Sequence, residues 1–209
     1  MAVKLDKIKG VIFVVSGPSG SGKTTLLKKL LLDRSLRKVL VKSISLTTRP
    51  QRSNEHRGQD YSFITEKDFR RAQKAKKILE WTRYLGYHYA TPKEFVDKQV
   101  GQGKHIVLCL DLKGALTIKR SYPENSVTIF VGPPSLRTLQ QRIVKRCHKT
   151  KKEEIGERLK LARKEILGSC LYDHCLVNNN LARAVKALKK IIVQEISTRS
   201  EGAYDIHVA

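Results

Sequence analysis

The stretch that most constrains the fold covers residues 11–25, where an apolar run leads into a glycine-rich loop. Residues 11–15 are apolar and mostly β-branched, which is typical of a strand buried inside a parallel sheet. Residues 17–24 match the pattern Gly-x-x-x-x-Gly-Lys-Thr without exception, and a leucine-rich segment follows at 26–32. Strand, glycine loop and helix in this order are the context in which such a loop binds phosphate. The complete match disfavours the alternative, a glycine-rich turn without a ligand.

The residue types in this loop follow from the chemistry of phosphate binding. Backbone N–H groups must approach the phosphates closely, and side chains at the glycine positions would block that approach. The N-terminus of the following helix adds free N–H groups and a partial positive charge. Lys23 is predicted to reach the β- and γ-phosphates, and the Thr24 hydroxyl is the expected Mg²⁺ ligand. The residues predicted to bind the nucleoside triphosphate are Gly17, Pro18, Ser19, Gly20, Ser21, Gly22, Lys23, Thr24 and Thr25.

Beyond the loop, predicted strands and helices alternate along most of the chain. Short apolar strands are predicted at residues 39–41, 105–110, 127–131 and 175–177. Further helices are predicted at residues 93–100, 113–121, from 136 onward with Ser135 as the cap, and 181–197. This alternation predicts a parallel sheet with helices on both faces. An apolar stripe on the last helix, expected to pack against the sheet, consists of Leu181, Val185, Leu188, Ile192 and Ile196.

Composition predicts one globular domain with insertions. Of the 209 residues, 40% are apolar, which is enough for a core, and no apolar run is long enough to span a bilayer. Residues 1–10 lack the apolar segment of a signal peptide, so a cytoplasmic location is predicted. The cysteines have no Cys-x-x-Cys spacing and are expected to be reduced thiols rather than metal ligands or disulfide partners. They are Cys109, Cys147, Cys170 and Cys175.

The net charge is unusually high. The chain has 42 lysine and arginine residues against 19 acidic ones, which gives +23 and a pI near 10.1. Such a surface attracts polyanions. Nucleic acid, acidic lipid and the nucleotide substrates are all candidates, and a merely solvated basic surface explains the charge equally well.

A carboxylate ends the predicted strand at residues 105–110. Asp111 follows that strand, as in the Walker B arrangement, and ligands of an open α/β sheet gather at the carboxyl ends of its strands. Asp111 is therefore expected near the phosphates and Mg²⁺. The alternative is an ordinary capping Asp at the end of a strand.

Between about residues 43 and 91 the alternation stops, and the sequence becomes polar and rich in arginine, tyrosine and threonine. This stretch is predicted to form an inserted module. Arg49 and Arg52 lie three residues apart among hydroxyl side chains. This suits a phosphate, because one guanidinium group can donate two parallel hydrogen bonds to two phosphate oxygens. Glu80 lies among aromatic residues and could accept hydrogen bonds from the two adjacent donors of guanine, which adenine lacks. A solvated basic loop with a surface glutamate remains open as the alternative.

Taken together, these motifs resemble the guanylate kinase family over nearly the whole chain. The signature Ser-x-Thr-Thr-Arg-x-x-Arg lies at residues 45–52, followed by Glu55, Gly58 and Tyr-x-Phe at 61–63. The resemblance implies a GMP site whose phosphate is bound by Ser45, Arg49, Arg52, Tyr61 and Tyr89. It also implies a guanine site formed by Glu80 and Thr91, with Asp111 belonging to the same GMP site.

The same resemblance implies the remaining architecture and its arginines. The segment at 132–135 matches the one that precedes the family's lid, Arg142, Arg146 and Arg158 match the lid arginines, and Asn178 matches an adenine contact. The implied fold is a three-layer α/β P-loop kinase core with a parallel sheet, an inserted GMP-binding module and a helical lid. The implied ranges are 1–42, 92–136 and 165–209 for the core, 43–91 for the module and 137–164 for the lid.

Some positions depart from the family pattern. The usual Asp-x-Asp is Cys109-Leu110-Asp111 here, so only the second carboxylate is kept. The usual Arg-Gly of the lid is Arg146-Cys147, and the usual Asn-Asp-Asp begins at Asn178 and continues with two further asparagines.

The activity implied by the resemblance is phosphoryl transfer from ATP to GMP, with Mg²⁺ and without a protein nucleophile. ATP and GMP are the expected partners of a monomer or homodimer, with no membrane and with nonspecific polyanion binding as an addition. Two rivals come from other classes. A non-catalytic module of the same fold typically loses the loop lysine and the lid arginines, which this chain retains. A nucleic-acid-binding P-loop protein lacks support from any aromatic-interleaved basic motif.

Overall fold

The computed structural model describes residues 10–53, 55–146 and 152–201, without the side chains at 146, 152, 153, 200 and 201. The strands are β1 (Ile12–Ser16), β2 (Leu40–Lys42), β3 (Leu46–Thr47), β4 (Ser62–Phe63), β5 (Ile78–Tyr84), β6 (Tyr87–Pro92), β7 (His105–Cys109), β8 (Ser126–Gly132) and β9 (His174–Val177). The α-helices are α1 (Lys23–Leu30), α2 (Glu66–Lys74), α3 (Lys93–Gly101), α4 (Leu112–Ser121), α5 (Leu136–Arg146), α6 (Lys152–Leu167) and α7 (Leu181–Glu201). Short 3₁₀ turns lie at Leu36–Lys38 and Gly168–Leu171.

The core is a parallel sheet with the strand order β2-β7-β1-β8-β9. Its central strand is β1, whose residues are all buried. Phe13 and Val15 belong to one apolar cluster with α1 and α7, whereas Ile12 and Val14 belong to another with α3 and α4. Helices therefore cover both faces, which explains why the strand is apolar without alternation. The predicted α/β fold with a parallel sheet is confirmed.

The predicted elements of the core are confirmed with small shifts at their ends. For the last helix, the predicted burial of one residue is wrong. Leu188 and Ile192 are fully buried, and Val185 and Ile196 pack against the same cluster. Leu181, however, is 36% exposed. It is the first residue of α7, next to the loop that follows β9, so it lies at the edge of the apolar face. Ala184 is buried one turn further along the helix.

A second sheet is formed by the strands that lie between residues 46 and 92. Its order is β4-β3-β6-β5, with β3 and β4 parallel and the remaining pairs antiparallel. Phe69 of α2 is buried against it, stacked on His88 at 4.3 Å and edge-on to Trp81 at 5.8 Å. This sheet coincides with the predicted insertion. The division of the chain into core, module and lid by residue range stays a prediction.

Helices α5 and α6 pack against each other through a small apolar cluster of their own. Leu139, Ile143 and Ala162 are its buried members. The backbone N–H of Thr138 donates to Ser135 Oγ at 3.1 Å, which confirms the predicted helix cap. These two helices occupy most of the predicted lid.

The cysteines with a described environment are free thiols. Cys109 is partly buried, and Cys170 and Cys175 are exposed. Cys147 lies outside the described residues. No helix among the described residues is long and apolar enough to cross a membrane.

Candidate active site

The glycine loop connects β1 to α1 and lies against the carboxyl ends of β8 and β9. Gly17 and Gly22 have φ values of 132° and 94°, which L side chains rarely adopt. A Cβ atom at Gly17 would lie 2.3 Å from the carbonyl oxygen of Val131, and one at Gly22 would lie 2.3 Å from Asn178 Nδ2. The two glycines are therefore required by backbone conformation and by space.

The polar side chains of this loop differ in what they contact. Lys23 Nζ donates to the carbonyl oxygens of Gly17 and Pro18 at 2.5 and 2.9 Å, so the lysine folds back onto its own loop. Ser21 is fully buried, and its hydroxyl has no hydrogen-bond partner among the described residues. Thr24 and Thr25 are exposed in the first turn of α1. The loop thus presents one unpaired buried hydroxyl and two accessible ones.

A chain of hydrogen bonds connects helix α5 to the loop. Arg142 Nη2 donates to the backbone carbonyl of Asn178 at 3.1 Å, and Asn178 Nδ2 donates to the carbonyl oxygen of Ser21 at 2.8 Å. Arg142 Nη1 is buried without a partner among the described residues. The structure therefore brings Arg142 to the loop with a free donor. Asn178 is only 6% exposed and orients the loop, and its contact with adenine stays a prediction.

The other two predicted lid arginines lie further along the chain. Arg158 of α6 is 7% exposed and donates to Glu154 Oε1 through Nε at 3.0 Å and Nη2 at 2.6 Å. Arg146 is the last residue of α5, and its side chain lies outside the described part. The catalytic roles of both stay predictions.

In the inserted sheet, Arg49 is held by several contacts at once. Its guanidinium donates to both oxygens of Glu55 at 2.9 Å, to the Tyr89 hydroxyl at 3.1 Å and to the carbonyl oxygen of Pro50 at 2.5 Å. It also lies 5.5 Å from the centre of the Tyr61 ring. Arg49 is therefore fixed in orientation, mainly by Glu55.

Tyr61, Tyr89 and Arg52 lie close to Arg49, whereas the described structure shows no contact of Ser45 with this arginine. Tyr61 and Tyr89 contact each other edge-on at 5.8 Å. Burial raises the pKa of Tyr61, so its hydroxyl remains a donor over the usual pH range. The Arg52 side chain is 42% exposed, with Nη1 3.7 Å from Glu55. Ser45 is half-buried at the end of the strand pair, and its carbonyl oxygen accepts from the N–H of Ser62.

Glu80 lies inside the protein, so the interpretation as a surface glutamate is wrong. It is 6% exposed on β5, directly opposite Thr91 of β6, which is fully buried. Thr91 Oγ1 donates to Glu80 Oε1 at 2.5 Å. Burial and the charge of Asp111 raise the pKa of Glu80 to about 7, although Thr91 and Lys113 act in the opposite direction. The carboxylate is thus buried but poised to ionise near neutral pH.

Asp111 follows the plainer of its two predicted interpretations. Its Oδ1 accepts from the N–H of Gly114 at 2.8 Å and caps α4. A Cβ atom at Gly114 would lie 2.8 Å from Glu80 Oε2 and 3.3 Å from Asp111 Oδ1. Gly114, which the motifs did not single out, therefore lets both carboxylates approach the start of α4. A glycine inside a helix-forming segment was the available signal. A role for Asp111 toward GMP or Mg²⁺ stays a prediction.

Comparison with known proteins agrees with this geometry. A family model described as guanylate kinase matches residues 9–195. A guanylate kinase from Thermotoga maritima is 42% identical over 191 residues, covering 90% of this chain and 88% of that protein. One from Synechocystis sp. is 38% identical over 195 residues, covering 93% and 100% respectively. The crystal structure of guanylate kinase from Anaplasma phagocytophilum matches with a TM-score of 0.74 and 30% identity, covering 92% of this chain and 89% of that one. The chain therefore belongs to the guanylate kinase family.

Proposed function

We propose that this protein transfers the γ-phosphoryl group of ATP to GMP, giving ADP and GDP. The observation that carries the proposal is the combination of a complete phosphate-binding loop with a second sheet that holds both an arginine–tyrosine cluster and a buried carboxylate. The cluster around Arg49 suits the phosphate of a mononucleotide, and Glu80 suits its base. Family membership and the similar guanylate kinases support the same activity.

The donor nucleotide would bind at the glycine loop. The backbone N–H groups of the loop and the start of α1 would face the phosphates, and Lys23 would leave the carbonyl oxygens of Gly17 and Pro18 to pair with the phosphates. The unpaired Ser21 hydroxyl and Arg142 Nη1 are further donors at the same place. Buried polar groups are normally hydrogen-bonded, so these two are the atoms that a bound triphosphate would satisfy.

The residues of the loop fit Mg²⁺. The Thr24 hydroxyl is accessible in the first turn of α1, and Mg²⁺ prefers oxygen ligands and keeps several waters beside substrate phosphates. When bound, the ion would neutralise charge on the phosphate oxygens. Thr24 is therefore the proposed protein ligand.

Catalysis would rest on position and electrostatics. Phosphoryl transfer needs little covalent chemistry from the protein, so no protein nucleophile is required. Arg49 and Arg52 would hold the GMP phosphate in line with the donor. Lys23 and the lid arginines Arg142, Arg146 and Arg158 would stabilise the charge of the transferring group. Closure of residues 137–164 would exclude water, whose attack hydrolyses ATP.

Glu80 would select guanine. An ionised carboxylate accepts hydrogen bonds from N1–H and N2–H₂ of guanine together, whereas adenine has an acceptor at N1 and would leave the buried carboxylate unpaired. Thr91 supports this by donating to one carboxylate oxygen. Because the pKa of Glu80 is about 7, guanine binding would favour the ionised form and weaken as the pH falls below that value.

Further properties follow from the same proposal. We expect the protein to act in the cytoplasm as a monomer or homodimer. Its charge of +23 would attract the anionic nucleotides and would add a nonspecific affinity for nucleic acid that falls as salt rises. The rival interpretation as a non-catalytic module is not favoured, because Lys23, Arg142 and Arg158 are all present.

The first test is Lys23→Ala, with Lys29→Ala as the matched control. Lys29 is exposed on the same helix and is not part of the site. We expect the first variant to lose about 10²-fold or more of turnover with ATP and GMP, because it removes a charge that stabilises the moving phosphoryl group. Coupled ADP-release kinetics measure the loss, and circular dichroism checks folding. A folded Lys23→Ala protein with the turnover of the control would contradict the proposal.

The second test is Glu80→Gln, assayed for both substrates. The amide keeps the shape but places an NH₂ donor against the donors of guanine. We therefore expect the KM for GMP to rise by about 10²-fold or more and the KM for ATP to stay near the wild-type value. Thr91→Ala should raise the KM for GMP less, because it removes one hydroxyl contact. An unchanged KM for GMP in Glu80→Gln would show that guanine is selected elsewhere.

The third test uses the pH dependence of stability. The pKa of Glu80 rises from an ordinary 4.5 to about 7 in the folded protein, so its stabilising contribution is complete below the first value and is lost as the pH passes the second. Glu80→Gln removes this loss. In urea unfolding without nucleotide, we expect the variant to be more stable than wild type by up to about 3 kcal/mol at about pH 8.5, and nearly equal at about pH 5. The control is Glu94→Gln, at an exposed glutamate. A difference in the free energy of unfolding that does not change with pH would refute the raised pKa of the buried Glu80.

A further inference from the structure

The hairpin of β5 and β6 carries a tyrosine with a buried hydroxyl. Tyr84 ends β5, just before the turn formed by Leu85 and Gly86, which have φ values of 48° and 85°. The Tyr84 hydroxyl is buried and makes no hydrogen bond with any described residue. Burying an unpaired hydroxyl is unfavourable, and buried tyrosine hydroxyls usually find a partner. The missing partner therefore points to a ligand.

The surroundings of this hydroxyl belong to the donor side of the cleft. Burial raises the pKa of Tyr84, whereas the charge of Arg158 in α6 and a hydrogen-bonding interaction with the Ser19 side chain of the glycine loop lower it. The contact with Ser19 lies outside regular hydrogen-bond geometry, so the Tyr84 hydroxyl stays unsatisfied by that criterion. Glu165 of α6 acts in the same direction as burial. The hairpin of the inserted sheet thus reaches the loop and the lid helix through Tyr84.

The ring of Tyr84 belongs to the acceptor side. It contacts Tyr89 edge-on at 6.5 Å, and the Tyr89 hydroxyl accepts from Arg49 Nε at 3.1 Å. Tyr84 therefore stands between the residues proposed for the GMP phosphate and those proposed for the ATP phosphates.

Two other buried polar atoms without a partner lie at the glycine loop. They are Ser21 Oγ and Arg142 Nη1, from the loop and from the lid. Together with Tyr84, the inserted sheet, the loop and the lid each contribute one such atom near the phosphate-binding region of the described structure. Buried donors are normally hydrogen-bonded, and an anion with several oxygens can accept from several donors at once.

We propose that the Tyr84 hydroxyl donates a hydrogen bond to the phosphoryl group during its transfer from ATP to GMP. This inference rests on the proposed function and adds a catalytic residue that the sequence motifs do not contain. Its hydroxyl stays protonated near neutral pH, because the pKa is raised above its ordinary value of 10. It acts as a neutral donor and transfers no proton. Such a donor accelerates the reaction when its bond strengthens as charge builds up on the transferred oxygens.

The test is Tyr84→Phe, with Tyr87→Phe as the matched control. Phenylalanine keeps the ring contact with Tyr89 and removes only the hydroxyl. Tyr87 lies on the same hairpin and is 39% exposed. We expect kcat of Tyr84→Phe to fall roughly 10- to 100-fold, while the Kd for GMP from equilibrium titration and the Tm remain at the wild-type values. Tyr87→Phe should retain the wild-type kcat.

The remaining outcomes separate this inference from its alternatives. A wild-type kcat in Tyr84→Phe would overturn the inference, as would a fall in kcat that is matched by an equal loss of GMP affinity. The ratio of wild-type to variant kcat should be constant between about pH 6 and 9, and a ratio that changes with pH would show proton transfer instead. Absence of GMP phosphorylation by the wild-type protein would refute the proposed function itself, independently of any variant.

Discussion

The close packing of the glycine loop against β8 and β9 is the constraint on which the site depends. Gly17 lies so near the carbonyl oxygen of Val131, and Gly22 so near Asn178, that neither position admits a side chain. The Asn178 side chain in turn donates to the carbonyl oxygen of Ser21, and the Asn178 carbonyl oxygen accepts from Arg142 of helix α5. The backbone that would surround the phosphates is thus held rigidly in advance, which is what electrostatic stabilisation of a moving phosphoryl group requires.

Charge is distributed unevenly around the cleft, and this distribution gives the two nucleotide sites different roles. Arginine, lysine and hydroxyl donors dominate where phosphates would bind. Glu80 differs from these groups, since it is a buried carboxyl with a pKa of about 7 in a protein of net charge +23. Its ionisation destabilises the empty protein, and a base with two adjacent N–H donors would offset that cost. Selectivity for guanine would therefore come from the ionised form of Glu80, which the fold without a ligand does not favour.

Much of the core could be predicted from the sequence, because its signals are local. The uninterrupted apolar run of β1, the glycine loop and the cap at Ser135 each depend on neighbouring residues, and all are confirmed. The predicted burial of Leu181 was wrong, because apolar spacing along a helix does not show where the covered face ends. The order of the strands in the sheet could not be predicted from local sequence patterns.

The site was harder to predict, since its key properties depend on contacts between distant residues. The burial of Glu80 follows from its pairing with Thr91 and from the space left by Gly114. The pairing has no local signal, and a glycine in a helix-forming segment does not show which side chain approaches it. Asp111 had two interpretations; the hydrogen bond from the N–H of Gly114 confirms the cap, whereas a role toward GMP or Mg²⁺ stays a prediction. The sequence did not indicate a role for Tyr84, because aromatic residues are common in strands. What distinguishes it is a hydroxyl that lacks a partner in the described structure.

The most direct test of the account is the choice of acceptor among nucleoside monophosphates. Coupled ADP-release kinetics with ATP, Mg²⁺ and either GMP, AMP, UMP or CMP would give kcat/KM for each acceptor. A site in which a buried carboxylate pairs with guanine predicts that GMP exceeds AMP by about 10⁴-fold, with UMP and CMP near background. Comparable turnover of AMP, or no turnover with any of the four acceptors, would contradict it.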